Sequence, residues 1–325
     1  MTFLSAGYEW SRKYTWSRNL NCLYVLVVIA LVGGIGGASY QNGGLELYRG
    51  LTGNANMFGI LMSMSLPILL WNLYQHWKNS RQRIIWGALI VTCVYFLIQS
   101  FSRSAALMAI SISLFFVLSL SLRKKIRLLV IGGLLLLAGL IWMSAMMVTF
   151  ILNHFYKTNL HVDVLSSRQN VWQVSYEQAV KGGLVGGGFG VTIGDTQFTF
   201  TGLSSSGYGR EKSNSQLAIV EETGVIGLCL YTILLITFFS RAARRYKNLK
   251  GSEKVLFAII LGALVGILIE SIFEAWWDAV SQEMVYFWTL FGIAIGLIRK
   301  KSEILQNEYS IVEAPTRQAL PDPIS

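Results

Sequence analysis

VLFAIILGALVGILIES, residues 255–271, is continuously apolar and holds no charged residue before Glu270. A bilayer core about 30 Å thick requires roughly 20 apolar residues per helix, so this stretch is typical of a membrane-spanning helix. Its apolar residues do not alternate with polar ones, which disfavours a β-barrel strand. Seven further windows share these properties, and the eight predicted spans cover residues 20–38, 55–74, 84–99, 105–120, 128–150, 215–239, 255–271 and 284–298.

The composition of the whole chain agrees with this interpretation. Of the 325 residues, 53% are hydrophobic and only 14% are charged, and the mean hydropathy is +0.51. A soluble domain seldom combines so large an apolar fraction with so few charges. The sequence therefore predicts an all-α, polytopic membrane bundle of about eight transmembrane helices.

The distribution of lysine and arginine predicts the orientation of the bundle. All but seven of the 27 basic residues fall at the termini or in alternate loops, at residues 12–18, 78–83, 123–127, 241–254, 299–301 and 317. Cytoplasmic loops are enriched in basic residues, so both termini are predicted to be cytoplasmic and the protein to be multi-pass in the plasma membrane. This bias and attraction to anionic membrane lipids account for the net charge of +10, so no nucleic-acid partner is expected.

These boundaries divide the chain into five parts. Residues 1–19 form a cytoplasmic N-terminal segment, residues 20–152 hold the first five helices, and residues 153–212 form one large extracytoplasmic loop. Residues 213–301 hold the last three helices. Residues 302–325 contain three of the four prolines and are predicted to be a disordered cytoplasmic tail.

Seven basic residues break the charge pattern and are predicted to lie outside. They are Arg49, Arg103, Lys157, Arg168, Lys181, Arg210 and Lys212. Arg103 occupies a very short turn between two apolar helices, where an arginine is costly unless it has a role, and we interpret it as an anion contact. Guanidinium groups bind phosphate oxygens in bidentate fashion, so several arginines hold a pyrophosphate without a metal.

A metal or a cofactor is not predicted. The three cysteines, Cys22, Cys93 and Cys229, lie inside apolar helices without CxxC spacing, which is typical of small core residues. His154 and His161 are predicted to be external, but two histidines alone make a poor metal site.

The large loop has internal order. Residues 164–181 carry the pattern of a helix that lies outside the bilayer, and the glycine-rich run of residues 182–190 ends it. That run is equally compatible with a flexible connector and with a backbone cradle for substrate. Ser213 or Asn214 is a suitable cap for the sixth membrane helix, whose first turns carry Glu221 and Glu222. One of these carboxylates is expected to face inward, as a counter-ion for arginine or as a general base.

Four short motifs in order resemble the O-antigen ligase and Wzy-type polysaccharide polymerase superfamily. They are Tyr48-Arg49-Gly50-Leu51-Thr52-Gly53-Asn54-Ala55-Asn56, Ser102-Arg103-Ser104, Ser167-Arg168-Gln169-Asn170-Val171-Trp172 followed by the turn of residues 186–190, and Ser213-Asn214 leading to Glu222-Thr223-Gly224. Each motif is weak alone, whereas their order and the predicted topology make the combination fairly specific.

The resemblance implies a fold and an activity. The fold would be a helical bundle like that of the GT-C glycosyltransferases, and the activity would be transfer of glycans carried on undecaprenyl pyrophosphate, in which arginines hold the donor pyrophosphate. The candidate catalytic residues are then Arg103, Arg168 and Glu222. The candidate substrate-binding residues are Arg49, Arg210, Lys212 and Asn214. The implied partners are the lipid-linked glycan, an acceptor glycan, membrane lipids, and also a flippase and a chain-length regulator of the same assembly.

The chain departs from the superfamily at two places. Ligases typically carry His-Asn where this chain has Ser213-Asn214, which favours a polymerase over a ligase acting on lipid A-core. Members usually have ten or more spans, so this chain is a compact member or one whose start is incomplete. The general base stays open among Glu211, Glu221, Glu222, His154 and His161.

Two alternatives of other classes remain open. One is a flippase or transporter of lipid-linked sugars, which the sequence disfavours because it shows no clear internal repeat or broken helix. The other is an accessory scaffold in a polysaccharide assembly complex.

Overall fold

The computed structural model describes residues 2–42, 45–126, 166–188, 214–276 and 281–312, and this part of the chain is mostly helical. Its helices are α1 (Thr2–Lys13), α2 (Tyr24–Ile35), α3 (Ala55–Gln75), α4 (Ser80–Gln99), α5 (Arg103–Ser119), α6 (Ser166–Gly182), α7 (Ser215–Asn248), α8 (Gly251–Glu270) and α9 (Gln282–Val312). Two strands, β1 (Ala38–Asn42) and β2 (Leu45–Gly50), form an antiparallel hairpin.

Most predicted spans coincide with helices. Among the described residues, the stretches long and apolar enough to cross a membrane are Trp16–Ile35, Ala55–Gln75, Ser80–Gln99, Ser215–Asn248 and Gly251–Glu270. The apolar α5 has 17 residues, and α9 contains the predicted span 284–298. The predicted span 128–150 lies outside the described residues. A mostly helical structure with five candidate membrane-spanning helices is confirmed for the described residues, while eight spans and their orientation stay predictions.

The hairpin is a feature that the sequence did not predict. We placed residues 36–38 in the first span, but α2 ends at Ile35 and Ala38 already belongs to β1. Gly36 and Gly37 end the helix, and glycine is needed at Gly37 because a Cβ there would overlap the backbone of Gly50. The Tyr48 hydroxyl donates to the carbonyl oxygen of Gly34, which ties β2 to the end of α2.

Helices α5 and α8 pack closely in the centre of the bundle. Gly262 lies against Ile112 and Phe115, Gly266 lies against Met108, and the hydroxyl of Ser111 donates to the carbonyl oxygen of Gly262 at 3.1 Å. Small residues allow two membrane helices to approach closely, which compensates for the weak hydrophobic driving force inside a bilayer. These contacts fix an antiparallel register, which determines what lies beside Arg103.

Basic side chains cover aromatic rings at the end of the bundle that we predict to be cytoplasmic. The Lys124 amine lies 4.3 Å from the ring centroid of Tyr74, and the Arg245 and Arg299 guanidinium carbons lie 5.8 and 5.6 Å from the rings of Trp16 and Tyr8. Burial lowers the pKa of Lys124, and repulsion by Lys78 lowers it further. Lysine and arginine beside Trp and Tyr are typical of a membrane–water boundary.

The N-terminal residues form a helix that packs along a predicted span. We expected residues 1–19 only as a cytoplasmic segment, whereas α1 lies against α9 with Leu4 beside Gly292 and Ser11 beside Gly296. A Cβ at Gly292 would collide with the carbonyl oxygen of Leu4, and one at Gly7 would collide with the Thr289 carbonyl. The two backbones are therefore in direct contact, as at small-xxx-small helix interfaces.

This contact predicts that Gly292→Leu destabilises the purified protein. The leucine must push α1 away from α9, and overpacking of this kind costs about 1–3 kcal/mol. We expect a lower thermal midpoint in detergent, measured from the loss of monodisperse protein on heating.

Gly87→Leu is the matched control, since a Cβ at Gly87 in α4 would meet no atom of the described residues within 4 Å. Equal midpoints for the two variants would show that the α1–α9 contact does not contribute to stability.

Candidate functional site

The loop helix lies where the sequence predicted it. Residues 164–181 were expected to be helical, and α6 covers Ser166–Gly182. Ser175 and Ala179 are buried and Trp172 is half-buried, and these positions share one face at helical spacing. That face rests on α7. Arg168 lies one turn before Trp172, and its side chain lies outside the described part of the structure.

Helix α7 is broken near its start. Gly224 has φ 71° and ψ −175°, a non-helical conformation between two helical segments. In an unbroken helix the amides of Val225 and Ile226 would donate to the carbonyls of Glu221 and Glu222. The break removes both bonds, and it leaves two donors and two acceptors that require other partners.

The residues after α6 supply those partners. We call residues 183–188 the glycine segment. Its Gly187 and Gly188 amides donate to the carbonyl oxygens of Glu221 and Glu222 at 2.8 and 2.9 Å. In return, the amides of Val225 and Ile226 donate to the carbonyl oxygens of Gly183 and Leu184 at 3.0 and 3.3 Å. The glycine segment thus satisfies the two donors and two acceptors that the break in α7 leaves without helical partners.

We call this backbone contact between the glycine segment and α7 the interlock. Glycine is required at two of its positions. A Cβ at Gly186 would overlap the Glu222 backbone, and a Cβ at Gly224 would overlap the Leu184 carbonyl. Both residues also have a positive φ, of 78° and 71°, which L side chains rarely adopt. The two chain segments therefore meet backbone to backbone.

In the described part of the glycine run, the interlock fits neither of the two roles considered for it, a backbone cradle or a flexible connector. The amides of Gly187 and Gly188 donate to α7, and that of Gly186 donates to Gly182 at 2.8 Å. These groups are consequently not a cradle for substrate, and the segment is not a free connector. Residues 189 and 190 lie outside the described residues.

The interlock also holds two carboxylates in the interior. Glu221 is 0% and Glu222 is 4% exposed, so both face inward, whereas we expected only one to do so. Burial of a carboxylate is costly unless hydrogen bonds or a positive charge compensate for it. A pair at this position is therefore a candidate for either role considered above, counter-ion or base.

The start of α7 is fastened to the residues that follow α8. We call residues 271–276 the exit segment. The Ser215 amide donates to the Ser271 carbonyl at 2.9 Å, and the Ser215 hydroxyl donates to the Glu274 carbonyl at 2.8 Å. The Gln216 side-chain amide donates to the Ser271 hydroxyl at 2.8 Å.

Asn214 is the cap of α7, as the sequence allowed. Its Oδ1 accepts from the Leu217 amide at 2.9 Å, and its Nδ2 donates to the Ile272 carbonyl at 2.9 Å. This use of both ends of the amide gives Asn214 a structural task, in addition to the substrate contact that we predicted.

The exit segment also contacts two other sequence motifs. The Asn56 side-chain amide, in the first turn of α3, donates to Glu274 Oε1 at 3.2 Å. The ring of Trp172 on α6 packs against that of Phe273, with centroids 5.9 Å apart. Three of the four motifs therefore converge on one short stretch.

The register between α5 and α8 places Arg103 in the same region. Gly262 opposite Ile112 and Gly266 opposite Met108 place Glu270 at the level of Ser104, next to Arg103. Glu270 is 0% exposed and Arg103 is half-buried. The fourth motif thus lies beside a buried carboxylate at the end of α8.

The turn before Arg103 is tightly constrained. Ser100 and Ser102 are buried, and Phe101 between them has φ 52°, which is uncommon for a residue with a side chain. Gly59 of α3 lies against this turn, because a Cβ there would come within 2.7 Å of the Ser102 Cβ. These constraints determine where Arg103 begins α5.

The other predicted residues are less informative. Arg49 is exposed at the end of β2, and its carbonyl oxygen accepts from the Thr52 amide at 3.1 Å. Arg210, Lys212, Glu211, His154 and His161 lie outside the described residues. Within the described ranges, no group of three His, Cys, Asp or Glu side chains could hold a metal ion.

Sequence reasoning missed the exit segment and Asn56. We assigned no role to Glu270 or Glu274 from the sequence. The detectable signal was Glu270 itself, a carboxylate that interrupts an apolar run at the end of a span, which is a rare and usually functional position. The hydrogen bond between Asn56 and Glu274 joins residues 218 positions apart and had no local signal.

The interlock predicts that Gly224→Ala opens both partner segments. The alanine combines an unfavourable φ, about 1–3 kcal/mol, with a collision against Leu184. Amide hydrogen exchange should accelerate by at least about tenfold, the equivalent of 1.4 kcal/mol, in peptides covering residues 182–188 and 221–226.

Gly183→Ala is the control for this test. Gly183 has φ 58°, but a Cβ there would meet no atom of the described residues within 4 Å, so its substitution carries the conformational cost without the collision. Fast exchange confined to one of the two peptides in Gly224→Ala would contradict a reciprocal interlock.

The resemblance drawn from the sequence rests on the four motifs, and the fold brings them to the exit segment or to the end of α8 beside it. No protein-family model matches this chain, and neither does any curated protein sequence or solved structure.

Proposed function

We propose that this protein is a membrane glycosyltransferase that polymerises glycan repeat units linked to undecaprenyl pyrophosphate. The reaction would take place on the outer face of the cytoplasmic membrane, in O-antigen or exopolysaccharide synthesis. The end of the bundle that carries Arg103 and Arg168 would hold the pyrophosphate of the donor, without a metal or an organic cofactor.

The observation that carries the proposal is the convergence on the exit segment. Motifs spread over residues 48–224 contact residues 271–276 or lie at the end of α8 beside them. Convergence of this kind is expected if the motifs form one site, and it is not required by membrane insertion alone. Basic motif residues and buried carboxylates then share one end of the bundle.

The proposed reaction follows from the chemistry of these groups. The donor pyrophosphate lies between Arg103 and Arg168, and a hydroxyl of the acceptor sugar attacks the anomeric carbon. The new glycosidic C–O bond forms as the bond from the anomeric carbon to the phosphate oxygen breaks, and the departing pyrophosphate takes the electron pair. Guanidinium groups stabilise that negative charge, which is often the largest contribution to catalysis.

Buried carboxylates have two further roles in this scheme, orientation of an arginine and acceptance of a proton. Glu270, at the level of Ser104, orients the guanidinium of Arg103. Glu222 accepts the proton of the attacking hydroxyl, with Glu221 as the alternative base.

A transporter of lipid-linked sugars is the second candidate, and one observation favours it. The sequence showed no clear broken helix, and that prediction was wrong, because α7 is broken at Gly224. In transporters, the freed backbone groups of such a break bind cargo or ions. Here the freed groups bond to the glycine segment, which leaves the polymerase as our proposal.

One experiment separates the candidates directly. The purified protein in liposomes receives defined undecaprenyl-pyrophosphate-linked repeat units. Chain growth supports the glycosyltransferase, translocation without growth indicates the transporter, and neither outcome indicates a scaffold. In cells that lack the gene, single lipid-linked repeats indicate a polymerase, whereas long unattached polymer indicates a ligase.

The role of the arginines predicts a difference between two substitutions. Arg168→Ala should abolish polymer formation while membrane insertion stays normal. Arg168→Lys keeps the charge but loses the planar fork, so we expect at least about a hundredfold lower initial rate, typical of a lost oxyanion contact. The measurement is polymer formed per amount of reconstituted protein.

Lys181→Ala is the control, since Lys181 is an exposed basic residue of the same helix. Its rate should equal that of the wild type. Full activity of Arg168→Lys would exclude bidentate binding of the pyrophosphate.

A further inference from the structure

An open surface cleft of about 610 Å³ lies between α6 and the junction of α7 with the exit segment. We call it the cleft. Its volume falls within the range of about 300–1,000 Å³ that is usual for small-molecule sites. It begins one helical turn beyond Arg168, so whatever it binds lies next to the proposed pyrophosphate site.

One wall of the cleft is aromatic. Trp172 and Tyr176 lie one turn apart on α6 and line it together. The Trp172 ring is held in place by Phe273, and Tyr176 is 61% exposed. Such rings present a flat apolar face at a fixed position, at little cost in conformational entropy.

The rest of the wall includes three side-chain amides, Gln173, Asn214 and Gln216. Each makes at least one hydrogen bond within the protein, to Glu177, Ile272 and Ser271 respectively. An amide offers two donor hydrogens and two acceptor lone pairs, so further capacity remains at each.

The lining determines the chemistry of the occupant. None of the described residues that line the cleft is charged, so an ionised group would enter without a counter-charge from them. A purely apolar chain would match the aromatic wall but leave the remaining hydrogen-bonding capacity of the three amides unused. A ring with apolar C–H faces and hydroxyls at its edge satisfies both the aromatic wall and the amides.

We propose that the cleft binds a neutral sugar ring of a glycan reactant, with Trp172 and Tyr176 as its stacking platform and the amides as contacts to its hydroxyls. This inference rests on the proposed function for the identity of the reactant. It assigns binding roles to Trp172, Gln173, Tyr176 and Gln216, which were not among the site residues predicted from the sequence. Asn214 and Gln216 are already fixed by the exit segment, so little ordering is needed on binding.

The test uses the full-length protein in nanodiscs and saturation-transfer difference NMR. The probes are glucose, galactose, mannose, rhamnose and N-acetylglucosamine. We expect transfer from the protein to the ring C–H protons of at least one of them. Trp172→Ala should weaken that binding by about tenfold, which corresponds to 1.4 kcal/mol, whereas Trp172→Phe should retain most of it.

Trp77→Ala is the aromatic control, because Trp77 follows α3 at the opposite end of the bundle, and it should leave transfer unchanged. Absence of transfer from every sugar, or equal transfer in Trp172→Ala, would overturn the proposal. Photocrosslinking of a benzophenone-bearing isoprenyl pyrophosphate to residues 172–176 would also overturn it, since the cleft would then hold the lipid chain.

The outcomes also separate this proposal from the proposed function. If the wild type elongates lipid-linked repeats but Trp172→Ala binds sugars and elongates them normally, only the cleft assignment fails. If sugars bind at Trp172 but no preparation elongates or releases a lipid-linked glycan, the cleft assignment stands and the transferase activity fails.

Discussion

The hydrogen-bond exchange at Gly224 is the constraint on which the predicted outer end of this bundle depends. Inside or beside a bilayer, backbone groups freed by a broken helix need partners from the protein, because little water is present to replace them. The glycine segment provides two donors and two acceptors in the correct order. As a result α6 is joined to α7 by main-chain bonds, and the helix that carries Arg168 and Trp172 has a defined position.

The exit segment connects α7, α3 and α6 at this end of the bundle. It receives the start of α7 through Ser215, the start of α3 through Asn56, and the face of α6 through Trp172. The α5–α8 register adds Arg103 at the same level. Polar contacts thus fasten one end of the bundle, whereas the opposite end has cations over aromatic rings, an arrangement suited to a boundary with lipid headgroups.

The sequence predicted those features that depend on local pattern. Apolar length located α3, α4, α7 and α8, and capping chemistry located Asn214. Arg103 and Arg168 stand out in the sequence because basic residues outside the charge pattern require a reason, and their roles stay predictions. The β-hairpin was missed because its strands are short and polar. The interlock was missed because its bonds join distant backbone groups and leave no side-chain signature. The burial of Glu221 and the position of Glu270 beside Arg103 depend on helix register, which one sequence does not reveal.

The interlock is made by backbone groups, so it restricts the sequence only at positions where no side chain fits. Leu184 and Val185 lie inside the interlock, yet their side chains are 68% and 75% exposed, so their identity has little effect on it. Gly186 and Gly224, in contrast, admit no larger residue. Saturation mutagenesis of this region would therefore show two intolerant glycines among permissive neighbours, a pattern too sparse for sequence similarity to reveal.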